Sequence, residues 1–120
     1  DYTKKDFQKL TTTLTNAMVY YESDFNYFKW IDVQRNAYRC NIYGKIDALG
    51  TVPEYDQLLW ATDAVLLYKK GVDLYRYDFV GNKSTLIEIG EKTFKNFTYK
   101  DQILSIFTNQ GITNYKITIP

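Results

Sequence analysis

Carboxylates are the side chains of this 120-residue chain with the widest choice of chemistry, because a pair of them can divide general acid and general base work. The candidates are Glu54, Asp56, Asp63, Asp73 and Asp78. Their spacing is not distinctive, and an odd separation along an unbroken strand directs Asp73 and Asp78 to opposite faces. The chain contains no histidine, the commonest general base and metal ligand. These patterns predict a protein that is not an enzyme, and catalysis through carboxylates and tyrosine is kept as a further hypothesis.

The single cysteine, Cys40, alternates with apolar positions in "NAYRCNIYG", as a small buried side chain on a strand does. A reactive thiol is the alternative, and without histidine it would need Lys or Arg to activate it. The segment "DALGTVPEYD" lacks the oxygen-ligand spacing of a calcium loop, and the chain has no phosphate loop or dinucleotide fingerprint. We therefore expect no catalytic residue, no metal and no cofactor.

Charge is balanced along the chain, with 15 Lys and Arg against 14 Asp and Glu, a formal net charge of +1. The signs alternate instead of gathering in blocks, so nucleic acid is not an expected partner. The sequence also lacks an apolar run of about 18 residues, the length that a membrane-spanning helix needs.

The length and the apolar content predict one globular domain over residues 1–120. Within residues 3–28, apolar side chains recur in steps of three and four, which predicts a long amphipathic helix. They are Phe7, Leu10, Leu14, Ala17, Met18, Tyr21, Phe25 and Phe28. Threonine and asparagine in "LTTTLTNA" have low helix propensity, so packing against a sheet would have to hold this helix.

Short runs with a period of two follow over residues 37–119, and turn residues separate them. Two hairpins are expected, "AVLLY-KKG-VDLYRYDF" over residues 64–79 and "QILSIFT-NQG-ITNYKITI" over residues 102–119. A loop is expected over residues 44–57. Together with single strands near 37–43, 84–90 and 94–99, they predict an α+β fold in which the helix packs on an antiparallel sheet of about six strands.

Twelve tyrosines are large amphipathic rings that suit either a core or a binding surface. Those we expect to be available for contact are Tyr20, Tyr43, Tyr75 and Tyr77. Two tripeptides, beginning at Asn82 and Asn96, fit the glycosylation acceptor pattern, which chance explains adequately.

The predicted N-terminal helix is followed by "LLYKKGVDLYRYDF", "KTFKNFTY", "QILSIFT" and "NYKITI". This order of parts resembles the soluble part of type IV pilins and minor pseudopilins of the competence or type II secretion kind. There a strand often ends in an "LYR"-like stretch, here Leu74, Tyr75 and Arg76. The family's hydrophobic helix after a peptidase cleavage site is not in this sequence, so the resemblance implies that a membrane-inserted half precedes Asp1.

The resemblance implies a non-catalytic structural subunit of a pilus or pseudopilus at the surface of a bacterial cell. Its partners would be other pilin or pseudopilin subunits, and it would meet the membrane only through the absent helix. The implied subunit contacts are Phe7, Leu10, Leu14, Tyr20, Tyr43, Tyr75 and Tyr77.

The alternative function is a secreted or membrane-tethered binding module with a cystatin-like or curved-sheet fold, which would hold a ligand or a partner protein. A pocket lined by Tyr38, Trp60 and Tyr75 would favour this hypothesis, and a solid core with a projecting helix would favour the pilin hypothesis.

Overall fold

The computed structural model describes residues 18–21 and 26–119, and within these ranges every regular element is a β-strand. The eleven described strands are β1 Met18–Tyr21, β2 Tyr27–Ile31, β3 Asn36–Asn41, β4 Ile46–Thr51, β5 Gln57–Trp60, β6 Val65–Lys70, β7 Asp73–Asp78, β8 Lys83–Ile87, β9 Asn96–Lys100, β10 Ile103–Thr108 and β11 Gly111–Lys116.

These strands form three antiparallel sheets, and in each sheet every strand pairs with its neighbour in sequence. The first sheet has the order β1-β2-β3-β4, the second β5-β6-β7-β8 and the third β9-β10-β11. The chain divides into two compact units, of which the first ends at Val52 and the second begins at Pro53. The first unit holds the first sheet and the second unit holds the other two. The predicted antiparallel hairpins are confirmed, whereas a single domain over residues 1–120 stays a prediction.

The predicted α+β fold with a helix over residues 3–28 is wrong, because β1 and β2 occupy its C-terminal part. Phe28, assigned above to the apolar stripe of the helix, lies opposite Tyr21 in the β1–β2 pair. Aromatic and β-branched residues fit a pleated surface better than a helix, and a short aromatic-rich run can match both periods. The ring of Trp30 stacks on that of Phe28, two residues earlier on the same face of β2, and on that of its cross-strand partner Tyr38 in β3, each with 5.4 Å between centroids. Residues 3–17 lie outside the described ranges.

The predicted loop over residues 44–57 is also wrong in part, because β4 lies within it. This strand is an edge of the first sheet and is largely exposed, so it lacks the apolar alternation that marks a half-buried strand. Its register against β3 shifts between Ala37 and Tyr38, and Gly50 has a φ of 117°, which a residue with a side chain rarely adopts. A bulge with glycine is what made the segment look irregular.

In the first sheet, side chains that accept backbone hydrogen bonds close the β2–β3 and β3–β4 turns. Asp32 Oδ1 accepts hydrogen bonds from the N–H groups of Gln34 and Asn36, each at 2.9 Å, in the β2–β3 turn. Asn41 Oδ1 does the same for residues 43 and 45 in the β3–β4 turn, again at 2.9 Å. Asp and Asn favour turns because their short side chains can replace a backbone acceptor in this way.

The predicted β6–β7 hairpin is present, but its connection differs: instead of the three residues "KKG" it is the two residues Gly71 and Val72, between the closing pair Lys70 and Asp73. Gly71 has a φ of 64°, as the first position of a tight hairpin turn requires. Leu67 and Leu74 lie on one face of this hairpin, and both are almost fully buried.

The core of the second unit lies between its two sheets. Leu67 and Leu74 of the second sheet pack there with a group from the third sheet and the loop before it, namely Phe94, Phe97, Leu104 and Ile106. The strands of the two sheets that approach most closely are β5 and β9, the first strand of each. Gln57 of β5 connects them, because its side-chain Nε2 donates to the Phe97 carbonyl at 2.8 Å and its Oε1 accepts from the Phe97 N–H at 3.1 Å. A side-chain amide thus pairs with the outer edge of β9 as a neighbouring strand would.

Candidate functional site

A groove of about 700 Å³ lies between the β8–β9 loop and the β10–β11 hairpin of the second unit. We call it the hairpin groove. It is lined by Gly90, Glu91, Lys92, Thr93, Phe94 and Lys95 from the loop and by Thr108, Asn109, Gln110, Gly111, Ile112 and Thr113 from the hairpin.

Tyr115 of β11 fixes the first part of the β8–β9 loop. Its hydroxyl donates to Glu91 Oε1 at 2.8 Å and accepts from the Gly90 N–H at 3.0 Å. The hydrogen bond from Tyr115 lowers the pKa of the Glu91 carboxyl, and Thr113 adds a smaller effect of the same sign. The negative charge of Glu91 is therefore held against the third sheet.

The second part of the loop is fixed by Phe94, which is buried and meets the ring of Phe97 edge-on with 6.4 Å between centroids. The Lys69 ammonium lies over the Phe94 ring, 5.2 Å from its centroid. Directly after it, the Lys95 N–H donates to the Phe107 carbonyl at 2.8 Å and joins the loop to β10. Both ends of the loop are tied to the sheet, so this wall of the groove is preformed.

Along the groove, positive charges outnumber the one negative charge of the partly exposed Glu91. Lys92 and Lys95 line it and are both exposed, while the Glu91 carboxylate is engaged by Tyr115. Asn109 and Gln110 of the opposite wall add exposed amides. Two ammonium groups beside amides and backbone groups suit a partner that offers carboxylates and an extended backbone.

A smaller depression of about 310 Å³ adjoins the hairpin groove, and both are lined by Glu91 and Lys92. Its rim carries two exposed apolar side chains, Val72 with 55% and Leu86 with 48% of its surface exposed. The loop therefore separates a polar groove from a partly apolar one.

The predicted contact residues are not brought together at this groove. Tyr77 is buried and donates its hydroxyl to Asn82 Oδ1 at 2.8 Å, so it is a core residue. Tyr75 is half buried and stacks on Tyr68 with 5.1 Å between centroids. Tyr43 lies in the β3–β4 turn of the first unit with 87% of its surface exposed.

Tyr20 lies in β1 and is half buried. Phe7, Leu10 and Leu14 lie outside the described residues. Of the pocket expected from Tyr38, Trp60 and Tyr75, Tyr38 belongs to the first unit, and neither groove of the second unit is lined by the other two.

The candidate catalytic carboxylates have structural partners. Asp56 Oδ2 accepts from the Gly71 N–H at 2.7 Å, and the Arg76 guanidinium binds both oxygens of Asp78 at 2.9 to 3.2 Å. Glu54 lies 3.9 Å from the Lys70 ammonium, and both groups are exposed. Within residues 18–21 and 26–119, no group of three or more His, Cys, Asp or Glu residues could hold a metal ion.

Cys40 is confirmed as a buried side chain on a strand, with its thiol 3.4 Å from the Asn41 carbonyl. Burial raises the pKa of this thiol, so the reactive thiolate is disfavoured.

Sequence reasoning missed the groove residues Glu91, Lys92, Lys95 and Tyr115. The local signal was "IGEKTFK", a charged stretch with glycine between two predicted strands, which indicates a loop but not its anchor. In the part of the chain that the structure describes, no helix is long and apolar enough to cross a bilayer.

The second unit consists of two successive antiparallel meanders that pack face to face. This topology resembles neighbouring blades of a β-propeller, which are four-stranded meanders. Among solved structures, one titled "KlHsv2 with loop 6CD replaced by a Gly-Ser linker" is similar to this chain in fold, with a TM-score of 0.52 and 10% sequence identity. The similarity covers 88% of this chain and 37% of that chain, so the chain spans little more than a third of its length. No family model and no curated protein matches the chain.

This all-β fold overturns the resemblance to type IV pilins and pseudopilins, which requires a long helix packed on a sheet. The pilin-like and α+β descriptions are wrong, and the filament role that depended on them loses its basis.

Proposed function

We propose that the chain is a non-catalytic binding module, built of consecutive blade-like sheets, that holds a partner protein in the hairpin groove. The observation that supports the proposal best is the preformed groove, in which Tyr115 and Phe94 fix the loop wall while Lys92 and Lys95 stay exposed. This keeps the binding role of the alternative hypothesis drawn from the sequence and replaces both its site and its fold, because that hypothesis assumed a sheet wrapped around a helix.

Two features favour binding over catalysis. The groove lining contains no cysteine or histidine and only one carboxylate, Glu91, whose lowered pKa makes it a poor proton donor near neutral pH. Among the other candidate carboxylates, Asp56 accepts a hydrogen bond from a turn N–H and Asp78 is paired with Arg76. A protein partner is favoured over nucleic acid because the exposed cations of the groove are two and the whole chain is close to neutral.

The experiment is a selection of displayed random peptides on the immobilised chain, followed by affinity measurements on the selected peptides. We expect the double variant Lys92→Glu/Lys95→Glu to lose binding. The variant Lys100→Glu is the matched control, because Lys100 is exposed at the opposite end of β9 from Lys95. Selected peptides that bind the double variant and the unaltered chain equally would place the binding surface elsewhere.

Mass spectrometry of the recovered peptides tests the absence of catalysis. A binding module returns them with unchanged masses, and a cleaved or modified peptide would contradict the proposal. Fractionation of cells that express the whole gene tests the further expectation that the module acts at the outer surface of a bacterial cell.

A further inference from the structure

The hairpin groove and the smaller depression beside it are separated by one short segment of the β8–β9 loop. Both concavities are lined by Glu91 and Lys92, and the chain is buried again at Phe94. The volumes of about 700 and about 310 Å³ therefore lie on the two sides of the same segment. If this segment moved away from the sheet, the two concavities would form one continuous cleft.

The segment over residues 90–93 lies between two anchored residues but is itself lightly attached. Ile89 before it packs against the core of the second unit, and Phe94 after it belongs to that core. Between them, Gly90, Lys92 and Thr93 are exposed. Segments with few buried apolar contacts and exposed hydrogen bonds open at a lower free energy than the core around them. The segment can therefore open while the core on either side stays folded.

Hydrogen bonds to β11 hold the segment closed. The Tyr115 hydroxyl makes two of them, because it donates to Glu91 Oε1 at 2.8 Å and accepts from the Gly90 N–H at 3.0 Å. The side chain of Thr113 adds a hydrogen bond to the Glu91 carboxyl. Loss of the single oxygen atom of the tyrosine would therefore remove two attachments at once.

Apolar side chains lie beneath the segment on the side of the depression. Leu74 is fully buried, Ile87 and Ile89 are half buried, and all three line the depression. They belong to the core of the second unit or pack against it. Val72 and Leu86 continue the apolar surface at the rim, where they are exposed. Release of the segment would uncover this floor and join it to the polar groove.

We propose that residues 90–93 are a strap that the Tyr115 hydroxyl latches closed, and that release of the strap joins the hairpin groove and the depression into one cleft with an apolar floor. The closed strap forms the loop wall of the groove. A partner that uses the joined cleft selects the open strap, so its observed affinity is lowered by the fraction of molecules in which the strap is closed. This device goes beyond the proposed function, and the chain alone is sufficient to test it.

The test measures how far solvent reaches the core beneath the strap, in the unaltered chain and in a variant. A soluble paramagnetic agent enhances the NMR relaxation of methyl groups near solvent, and the methyl groups of Leu74 report the floor of the depression. We expect Tyr115→Phe to raise the population of the open strap about tenfold, because it removes two hydrogen bonds, and to raise the enhancement at Leu74 severalfold. An unchanged enhancement would overturn the strap.

Leu104 provides the matched control. Its side chain is fully buried in the same core as Leu74, but it lines neither the hairpin groove nor the depression. We expect the enhancement at Leu104 to be the same in the unaltered chain and in Tyr115→Phe. An equal rise at both leucines would mean that the variant loosens the whole core, and it would overturn the role of Tyr115 as a latch.

The variant Glu91→Gln separates hydrogen bonding from charge. The amide oxygen of glutamine can still accept from the Tyr115 hydroxyl, and the Gly90 N–H keeps its acceptor. We therefore expect the enhancement at Leu74 to stay within about twofold of that in the unaltered chain. A rise as large as that of Tyr115→Phe would assign closure to the charge of Glu91 and overturn the latch. Because these measurements need no peptide, their failure would leave the proposed function to its own test.

Discussion

Replacement of Gln57 by alanine tests how the two sheets of the second unit are joined. The change removes hydrogen bonds of 2.8 and 3.1 Å and leaves the N–H and C=O of Phe97 without a partner at the edge of β9. Each neutral hydrogen bond contributes about 1 kcal/mol net, and an unsatisfied buried group adds to the cost. Because Phe97 is fully buried, we expect the free energy of unfolding of the second unit to fall by about 2–3 kcal/mol.

The assay is urea unfolding combined with amide exchange at Phe97, which reports the broken hydrogen bond directly. Gln110→Ala is a suitable control, because Gln110 is exposed in the β10–β11 turn. We expect this control to change the stability by less than about 0.5 kcal/mol, as a surface substitution does. If Gln57→Ala lowers the free energy of unfolding no more than the Gln110→Ala control does, and leaves the exchange of the Phe97 amide unchanged, the side-chain amide of Gln57 does not act in place of a neighbouring strand.

The variant Gln57→Glu adds a dependence on pH. Its carboxylate can accept from the Phe97 N–H but repels the Phe97 carbonyl, so the folded chain raises the pKa of the new carboxyl above about 4.3, its ordinary value. The protonated acid can donate to that carbonyl. Compared with the unaltered chain, the variant should therefore be most stable at a pH below the pKa that the new carboxyl has in the unfolded chain. It should lose that stability as the pH rises through the higher pKa that the carboxyl has in the folded chain. A deficit that is independent of pH would contradict this reasoning.

Three further predictions concern single side chains. Tyr115→Phe removes the donor to Glu91, so the pKa of that carboxyl should rise towards its ordinary value, which a carbon-13 NMR titration can follow. In the unaltered chain, the stability that this hydrogen bond contributes should be present above the unfolded pKa of Glu91 and be lost as the pH falls through its lowered folded pKa, which acid unfolding of the chain and the variant can follow. The thiol of Cys40 should react with a thiol reagent only on unfolding, and rapid reaction of the native chain would contradict its burial. Leu74→Ala should lower the free energy of unfolding by about 2–5 kcal/mol, whereas Val72→Ala, at an exposed position two residues away, should change it by less than about 0.5 kcal/mol.

The hairpins could be predicted from the sequence because their information is local. An apolar run in β6, an alternating strand around Leu74 in β7 and a glycine between them indicate the β6–β7 hairpin, and a glycine between two short apolar runs likewise indicates the β10–β11 hairpin.

The helix could not be excluded from the sequence, because aromatic residues at spacings of two, three and four satisfy a helix and a strand alike. Only the pairing of Tyr21 with Phe28 and the stacking of Trp30 on Tyr38, which depend on other strands, decide between them. β4 was missed because an exposed edge strand has no apolar alternation.

The groove was missed because it depends on contacts between distant residues. Tyr115 and Glu91 are 24 positions apart, and Gln57 binds a residue 40 positions away. No local pattern marks one tyrosine among twelve as the anchor of a loop.

The pairing of every described strand with its neighbour in sequence has a consequence for how such a chain folds and evolves. Short connections such as Gly71-Val72 bring paired strands together at low entropic cost, so each sheet can form before it meets another. A gene that encodes units of this kind can lengthen or shorten by a whole meander, since duplication or deletion of one leaves the hydrogen bonding within the others intact.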